Sequence, residues 1–254
     1  MKIGVCTGFD NIEKAASFGF DYIEVGVGSV AGLGEEEFAA LKERLGKAPI
    51  GVEAANVMLP GTIHISGEEA NHETMRAYLE GAYQRLGEIG CRTVVFGSGG
   101  ARRIPEGFDR EKAGEQLLEA SRIIGETAGK YGITVALEPL CRKECNVVNS
   151  VTEGGELVEK VDLPAFRLLA DYYHMGTDGE SFDGIRRYGK YLRHVHIAHP
   201  TARTVPAEGD GGRYEEFFSV LKEIGYDLRV SIEAGVRDFD KELPEAASYL
   251  KGLI

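Results

Sequence analysis

The chain has 254 residues, 43% of them hydrophobic, and a formal net charge of −12 at pH 7. That length and the even spacing of its apolar runs support one sizeable core, read as a single domain from residue 1 to 254. The acidic balance argues against a nucleic-acid partner, which needs a basic face, and no apolar run reaches membrane-spanning length.

The opening MKIGVCTGFD reads as a strand and lacks signal-peptide organisation. Cys6, Cys91, Cys141 and Cys145 suggest no disulfide framework, so a reduced, cytoplasmic protein is expected. After KIGVC (2–6), the next β-rich runs are YIEVGV (22–27) and IGVEAAN (50–56), in which Glu24 and Glu53 read as acids supporting a site's ligands from behind or as barrel ion pairs. NVMLPGTIHISG (56–67) is long enough to cover a site as a lid, with His64 as a loop residue. HETMRAYLEGAYQRLGEIG follows with helical spacing, its apolar stripe formed by Met75, Tyr78, Leu79, Ala82 and Leu86.

The fourth run, RTVVFG (92–97), leads into the glycine-rich FGSGGARRIPEGF. Its Arg102 and Arg103 could cradle a phosphate or carboxylate, or simply pair with nearby acids. The helical EKAGEQLLEASRIIGETAGKYG precedes ITVALE (133–138), FRLLAD (166–171) and RHVHIA (193–198). EEFFSVLKEIG, capped by Gly225, precedes the last run, RVSIE (229–233). Several runs are nearly continuous in Val, Ile and Leu, as parallel strands covered on both faces require. Eight alternations of strand and helix predict an α/β fold, a single closed (β/α)8 TIM barrel, and favour closure over an open doubly wound sheet. No GxGxxG follows the first strand, which removes the usual dinucleotide fingerprint.

Four of these runs end on polar residues that could bind one divalent metal, namely Glu138, Asp171, His196 and Glu233. Each sits about one strand–helix unit from the next, and a barrel brings strand C-termini to one mouth. Any one acid alone could cap a helix or pair with an arginine, but four in matching positions point to a common ligand. Three carboxylates and an imidazole suit Mn²⁺ best, with Mg²⁺ or Co²⁺ as alternatives. Strand alternation puts His194 on the same face as His196 but deeper, as a packed histidine or one that supports a ligand from behind, while His199 lies beyond the strand. Glu144, His174 and Arg203 follow in the adjoining loops and could bind the oxygens of a polyol.

The segments LEPLCRKECN, LLADYYHMG, HVHIAHPTARTVP and VSIEAG carry a recognisable pattern. The chain resembles the xylose isomerase-like TIM-barrel superfamily of sugar isomerases and epimerases, in particular its ketose 3-epimerases and hydroxypyruvate isomerases. The resemblance implies metal coordination by Glu138, Asp171, His196 and Glu233, with the two glutamates also serving as acid and base. It implies substrate contacts from Glu144, His174 and Arg203, although the interval from His196 to Arg203 is one residue longer than in typical 3-epimerases. Two-metal aldose isomerases carry a lysine in a Glu-x-Lys-Pro segment; here Glu138 is followed by Pro139-Leu140-Cys141, which favours proton transfer with one metal over hydride transfer with two.

The chemistry is coherent on physical grounds. A proton beside a ketone is too weakly acidic for an unassisted carboxylate, and a divalent ion stabilises the developing enediolate as a Lewis acid. Glu138 and Glu233, three strands apart around the barrel, can face each other across a substrate. Return of the proton on the opposite face gives epimerisation, and delivery to the adjacent carbon gives isomerisation. The expected activity is therefore a divalent-metal-dependent sugar isomerase or epimerase acting on a ketose or related keto-polyol. The expected partner is this small sugar, and a homo-oligomer is compatible with the habits of relatives. The alternatives are a metal-dependent keto-polyol (inosose-type) dehydratase and, well behind it, a hydrolase resembling the abasic-site endonucleases.

Overall fold

A computed structural model describes residues 1–254. Its eight strands are β1 (Lys2–Cys6), β2 (Tyr22–Gly26), β3 (Gly51–Asn56), β4 (Thr93–Phe96), β5 (Thr134–Leu137), β6 (Phe166–Asp171), β7 (Leu192–Ile197) and β8 (Arg229–Ile232). They pair in sequence order into a closed parallel barrel, and β1 meets β8 in the register Lys2↔Arg229 to Val5↔Ile232. Every side chain of β4 is buried, as a strand covered on both faces must be. The predicted runs overshoot several strands by a residue, so Glu138 and Glu233 lie just past β5 and β8 rather than within them.

The outer helices begin where the sequence supplies caps. Asn71 accepts from the Thr74 N–H at the start of His72–Glu88, and Asp109 accepts from the Glu111 and Lys112 N–H groups at the start of Arg110–Lys130. The buried face of His72–Glu88 contains Met75, Leu79, Ala82 and Leu86 as expected; Tyr83 is also buried, whereas Tyr78 is only partly so. The helix Tyr214–Glu223 ends just before Gly225, whose φ of +69° gives the left-handed turn expected of a helix stop. No helix is long and apolar enough to cross a membrane.

Polar groups occupy the barrel interior only where they are paired. At the end where the strands begin, Glu53 bonds Lys2 at 2.6 Å and Arg229 at 2.5 Å, which makes it a barrel ion pair. Deeper in, the Tyr22 hydroxyl and Ser231 Oγ lie 2.8 Å apart, and Ser231 donates to Glu24 at 2.6 Å. The Tyr22 ring fits because Gly4 faces it; a Cβ on Gly4 would sit 2.3 Å from Tyr22 Cζ. Gly4→Ala should therefore destabilise the fold by about 1–3 kcal/mol through overpacking. Urea unfolding will read this as a lower midpoint, and an unchanged midpoint would show that the ring relocates freely.

Candidate active site

The mouth is built from residues at strand ends, because parallel strands deliver their C-termini to one face. Glu138 follows β5, and its backbone N–H donates to Phe96 O at 3.2 Å. Its side chain passes over Gly97, where a Cβ would lie 2.2 Å from Glu138 Oε2, so only glycine leaves room for the carboxylate. Glu233 follows β8, with its N–H donating to Ile197 O at 3.1 Å. Asp171 ends β6 and divides its two oxygens between tasks. Oδ1 accepts from the N–H groups of Tyr173 (2.6 Å) and His174 (3.1 Å), capping the next helix, while Oδ2 lies 3.8 Å from His196 Nδ1. Capping and ligation are thus compatible at this residue.

His196, fully buried on β7, stands among the acids. It donates from Nδ1 to Glu138 Oε1 at 2.9 Å and from Nε2 to Glu24 Oε1 at 3.0 Å, and Glu233 Oε2 lies 3.7 Å from Nδ1. Burial opposes a charge on this ring, yet Glu24, Glu233 and Glu138 together raise its pKa well above the ordinary imidazole value. Glu24, also fully buried, accepts from His194 Nε2 at 2.8 Å; despite burial, the two histidines hold its carboxyl well below the usual carboxylate range. Asp171 moves the other way. Burial and the Glu138 and Glu233 charges push it up to about 8.

One ligand atom from each of Glu138, Asp171, His196 and Glu233 falls within 4.8 Å of the others. Counting Glu24, four acidic side chains surround a single imidazole, and the rise at Asp171 comes first from burial and then from the charges of Glu138 and Glu233. A divalent cation matches both the hardness of these donors and the missing positive charge. Cys6 also approaches the floor, accepting from Asn56 Nδ2 at 3.5 Å.

Above this floor is a cavity of about 310 Å³ that includes Glu138, Glu233, Glu144, His174 and Arg203 in its lining. The Arg203 guanidinium bonds Glu144 Oε1 at 3.0 Å and Glu233 Oε2 at 2.7 Å, and lies 4.7 Å from the centroid of the Tyr173 ring. Arg203 is reached through a turn after His199. There His199 Nδ1 accepts from the Thr201 and Ala202 N–H groups, and Arg203 itself adopts a φ of +52°. His199 therefore organises this loop. His174 is 4% exposed with no hydrogen-bond partner at either ring nitrogen, and burial lowers its pKa to about 4. It is a neutral ring with free hydrogen-bonding capacity at the cavity wall.

Other loop expectations need correction or completion. Arg102 does not cradle an anion. It is fully buried and donates to Phe96 O (3.1 Å) and Glu138 O (2.6 Å), tying the ends of β4 and β5 together. Arg103 donates to the Glu144 carbonyl at 2.6 Å. His64 lies outside the mouth cavity, 3.7 Å from Glu69. The segment after β3 does lie over the mouth, with Leu59 N–H bonded to Ser98 Oγ and Ile65 N–H to Ala101 O, both at 2.9 Å. Asn56 and Gly97 were not singled out from sequence. Asn56 ends the apolar β3 run and donates to Glu233 Oε1 at 3.5 Å, so a polar residue at a strand end was the available signal.

Comparison with known proteins finds relatives in sequence and in fold. Over 234 residues the chain is 28% identical to the D-psicose 3-epimerase of Agrobacterium fabrum, covering 89% of this chain and 78% of that protein. A crystal structure of a D-psicose 3-epimerase in the presence of D-fructose superposes with a TM-score of 0.89 at 23% identity, covering 100% of this chain and 99% of the other. A crystal structure of the IOLI protein with a bound zinc atom superposes with a TM-score of 0.78 at 20% identity, covering 100% and 96%. The family model described as xylose isomerase-like TIM barrel matches residues 12–253, and the chain belongs to that family.

Proposed function

We propose that the chain is a divalent-metal-dependent isomerase that epimerises a ketose or related keto-polyol at the carbon beside its ketone, with Glu138 and Glu233 as the acid–base pair. The observation that carries this reading is the pairing of two glutamates, just past the ends of β5 and β8, at the floor of one sugar-sized cavity with Asp171 and His196 beside them. The 28% identity to a D-psicose 3-epimerase supports epimerisation over dehydration.

Glu138, Asp171, His196 and Glu233 would hold the ion, Mn²⁺ first by donor hardness and Mg²⁺ or Co²⁺ next. When bound, it would supply Lewis-acid stabilisation of the charge that grows on the substrate oxygens. One glutamate takes the proton from the carbon beside the ketone, and the C–H electron pair moves toward the carbonyl. The other glutamate returns a proton to the opposite face of the same carbon, which inverts it. Arg203 braces Glu233 and Glu144, fixing the position of the Glu233 side chain at the cavity. His174, neutral and unpartnered, is placed to bond a substrate hydroxyl. Val57, Leu59 and Gly61 of the segment after β3 line the same cavity. His196 must give up its Nδ1 proton to become a ligand, and Glu24 continues to accept from Nε2–H, fixing the ring orientation.

Glu233→Gln should fold normally and lose at least about 10²-fold in turnover, the usual scale for a general acid or base. Deuterium incorporation from D₂O into a ketose, followed by NMR, measures this directly, and full exchange in the variant would refute the assignment. Extensively dialysed protein should lose activity and recover it with Mn²⁺. Asp171→Asn should lower the metal content found by elemental analysis; unchanged content in an Asp171→Asn, His196→Ala double variant would remove the metal site from this position.

A further inference from the structure

Beside the mouth lies a second cavity, of about 560 Å³, larger than the one over the acids. Its walls are the far parts of the two loops that follow β3 and β4. His64, Ser66, Glu68 and Glu69 come from the loop after β3, and Gly100, Arg103 and Pro105 through Phe108 come from the loop after β4. Both walls are held in place. Gln116 clasps Gly67 through the Gly67 N–H (2.8 Å) and O (3.1 Å), and Asn146 clasps Ile104 in the same way at 3.0 and 2.8 Å. The loops also touch, since a Cβ on Gly67 would lie 2.6 Å from Pro105 Cγ. The crevice is thus preformed, as small-molecule sites usually are.

The two cavities adjoin at Gly100, which lines both. A Cβ there would meet nothing within 4 Å, so the space beside this glycine's Cα is free of packed side chains. A ketose with its reacting carbons at Glu138 and Glu233 can direct its far end past this glycine. The crevice lining combines the ring of Phe108 with polar groups of both kinds. Glu68, Glu69 and Glu106 accept hydrogen bonds, Arg103 donates them, and Ser66, 2% exposed, has a hydroxyl with no protein partner. An aromatic face beside spaced donors and acceptors suits a sugar ring, whose C–H face is apolar and whose edge carries hydroxyls. Three carboxylates against one guanidinium disfavour a phosphate or other anionic extension.

We infer that this crevice is a second sugar subsite, which takes a neutral glycosyl unit attached to the far end of the ketose. The inference rests on the reading of Glu138 and Glu233 as the reacting centre, since that sets which end of the substrate points outward. Isomaltulose is the probe, because it is fructose carrying glucose on its terminal carbon with the ketone and its neighbours free. Saturation-transfer NMR on the Mg²⁺-loaded protein should show magnetisation reaching the glucosyl protons, and isomaltulose should bind at least about tenfold more tightly than fructose. Phe108→Ala should abolish glucosyl saturation and the tenfold advantage while leaving deuterium exchange into fructose within about twofold. No saturation of the glucosyl ring in the wild-type protein, or equal affinity for the two sugars, overturns the subsite. Glucosyl saturation with no deuterium exchange in either sugar supports the subsite and refutes the epimerase reading.

Discussion

Excess negative charge at the end of the barrel is the constraint around which the rest of the mouth is arranged. Glu24, Glu138, Asp171 and Glu233 crowd about His196, a buried imidazole that meets Glu138 at 2.9 Å and Glu24 at 3.0 Å. Such a cluster is unfavourable in a low-dielectric interior unless positive charge or hydrogen bonds answer it. Each acid has its own answer. Glu24 has two histidines and Ser231, Glu138 has the Nδ1–H of His196, Asp171 has the N–H groups of the helix it caps, and Glu233 has Arg203. Asp171 remains pushed up to about 8 even so, and the proposed cation would relieve the charge left over.

This arrangement explains several backbone choices nearby. Gly97 is required because the Glu138 carboxylate occupies the space of a side chain there. Arg102, buried behind it, holds the ends of β4 and β5 by two backbone carbonyls, so its charge serves the frame rather than a ligand. The left-handed backbone at Arg203 costs of order 1 kcal/mol, as such conformations do for residues other than glycine. Its guanidinium offsets that cost by bonding two carboxylates and lying over Tyr173.

The mouth also divides rigid parts from adjustable ones. The residues on the floor sit on or next to strands, where the barrel ladder fixes their positions. Glu144, Arg203 and the walls of the neighbouring crevice sit on loops, where changes of length and residue are tolerated without disturbing the barrel. A barrel whose loops can change without disturbing its strands is compatible with a TM-score of 0.89 at 23% identity.

What the amino-acid sequence determined by itself was the barrel and the composition of its floor. Continuous Val/Ile/Leu runs, helical stripes such as Met75–Leu79–Ala82–Leu86 and caps such as Asn71 are local features, written in side-chain periodicity. Glu138, Asp171, His196 and Glu233 were legible because a parallel barrel converts the same position in each repeat into one place in space. Only the tertiary structure decided the fate of Arg102 and Arg103, the route by which Arg203 reaches Glu233, the burial of Glu24 under His196, and the crevice beside Gly100. These depend on contacts between loops and strands far apart in the chain, often at left-handed residues such as Arg203, and no local periodicity records which distant carbonyl or carboxylate a side chain will meet.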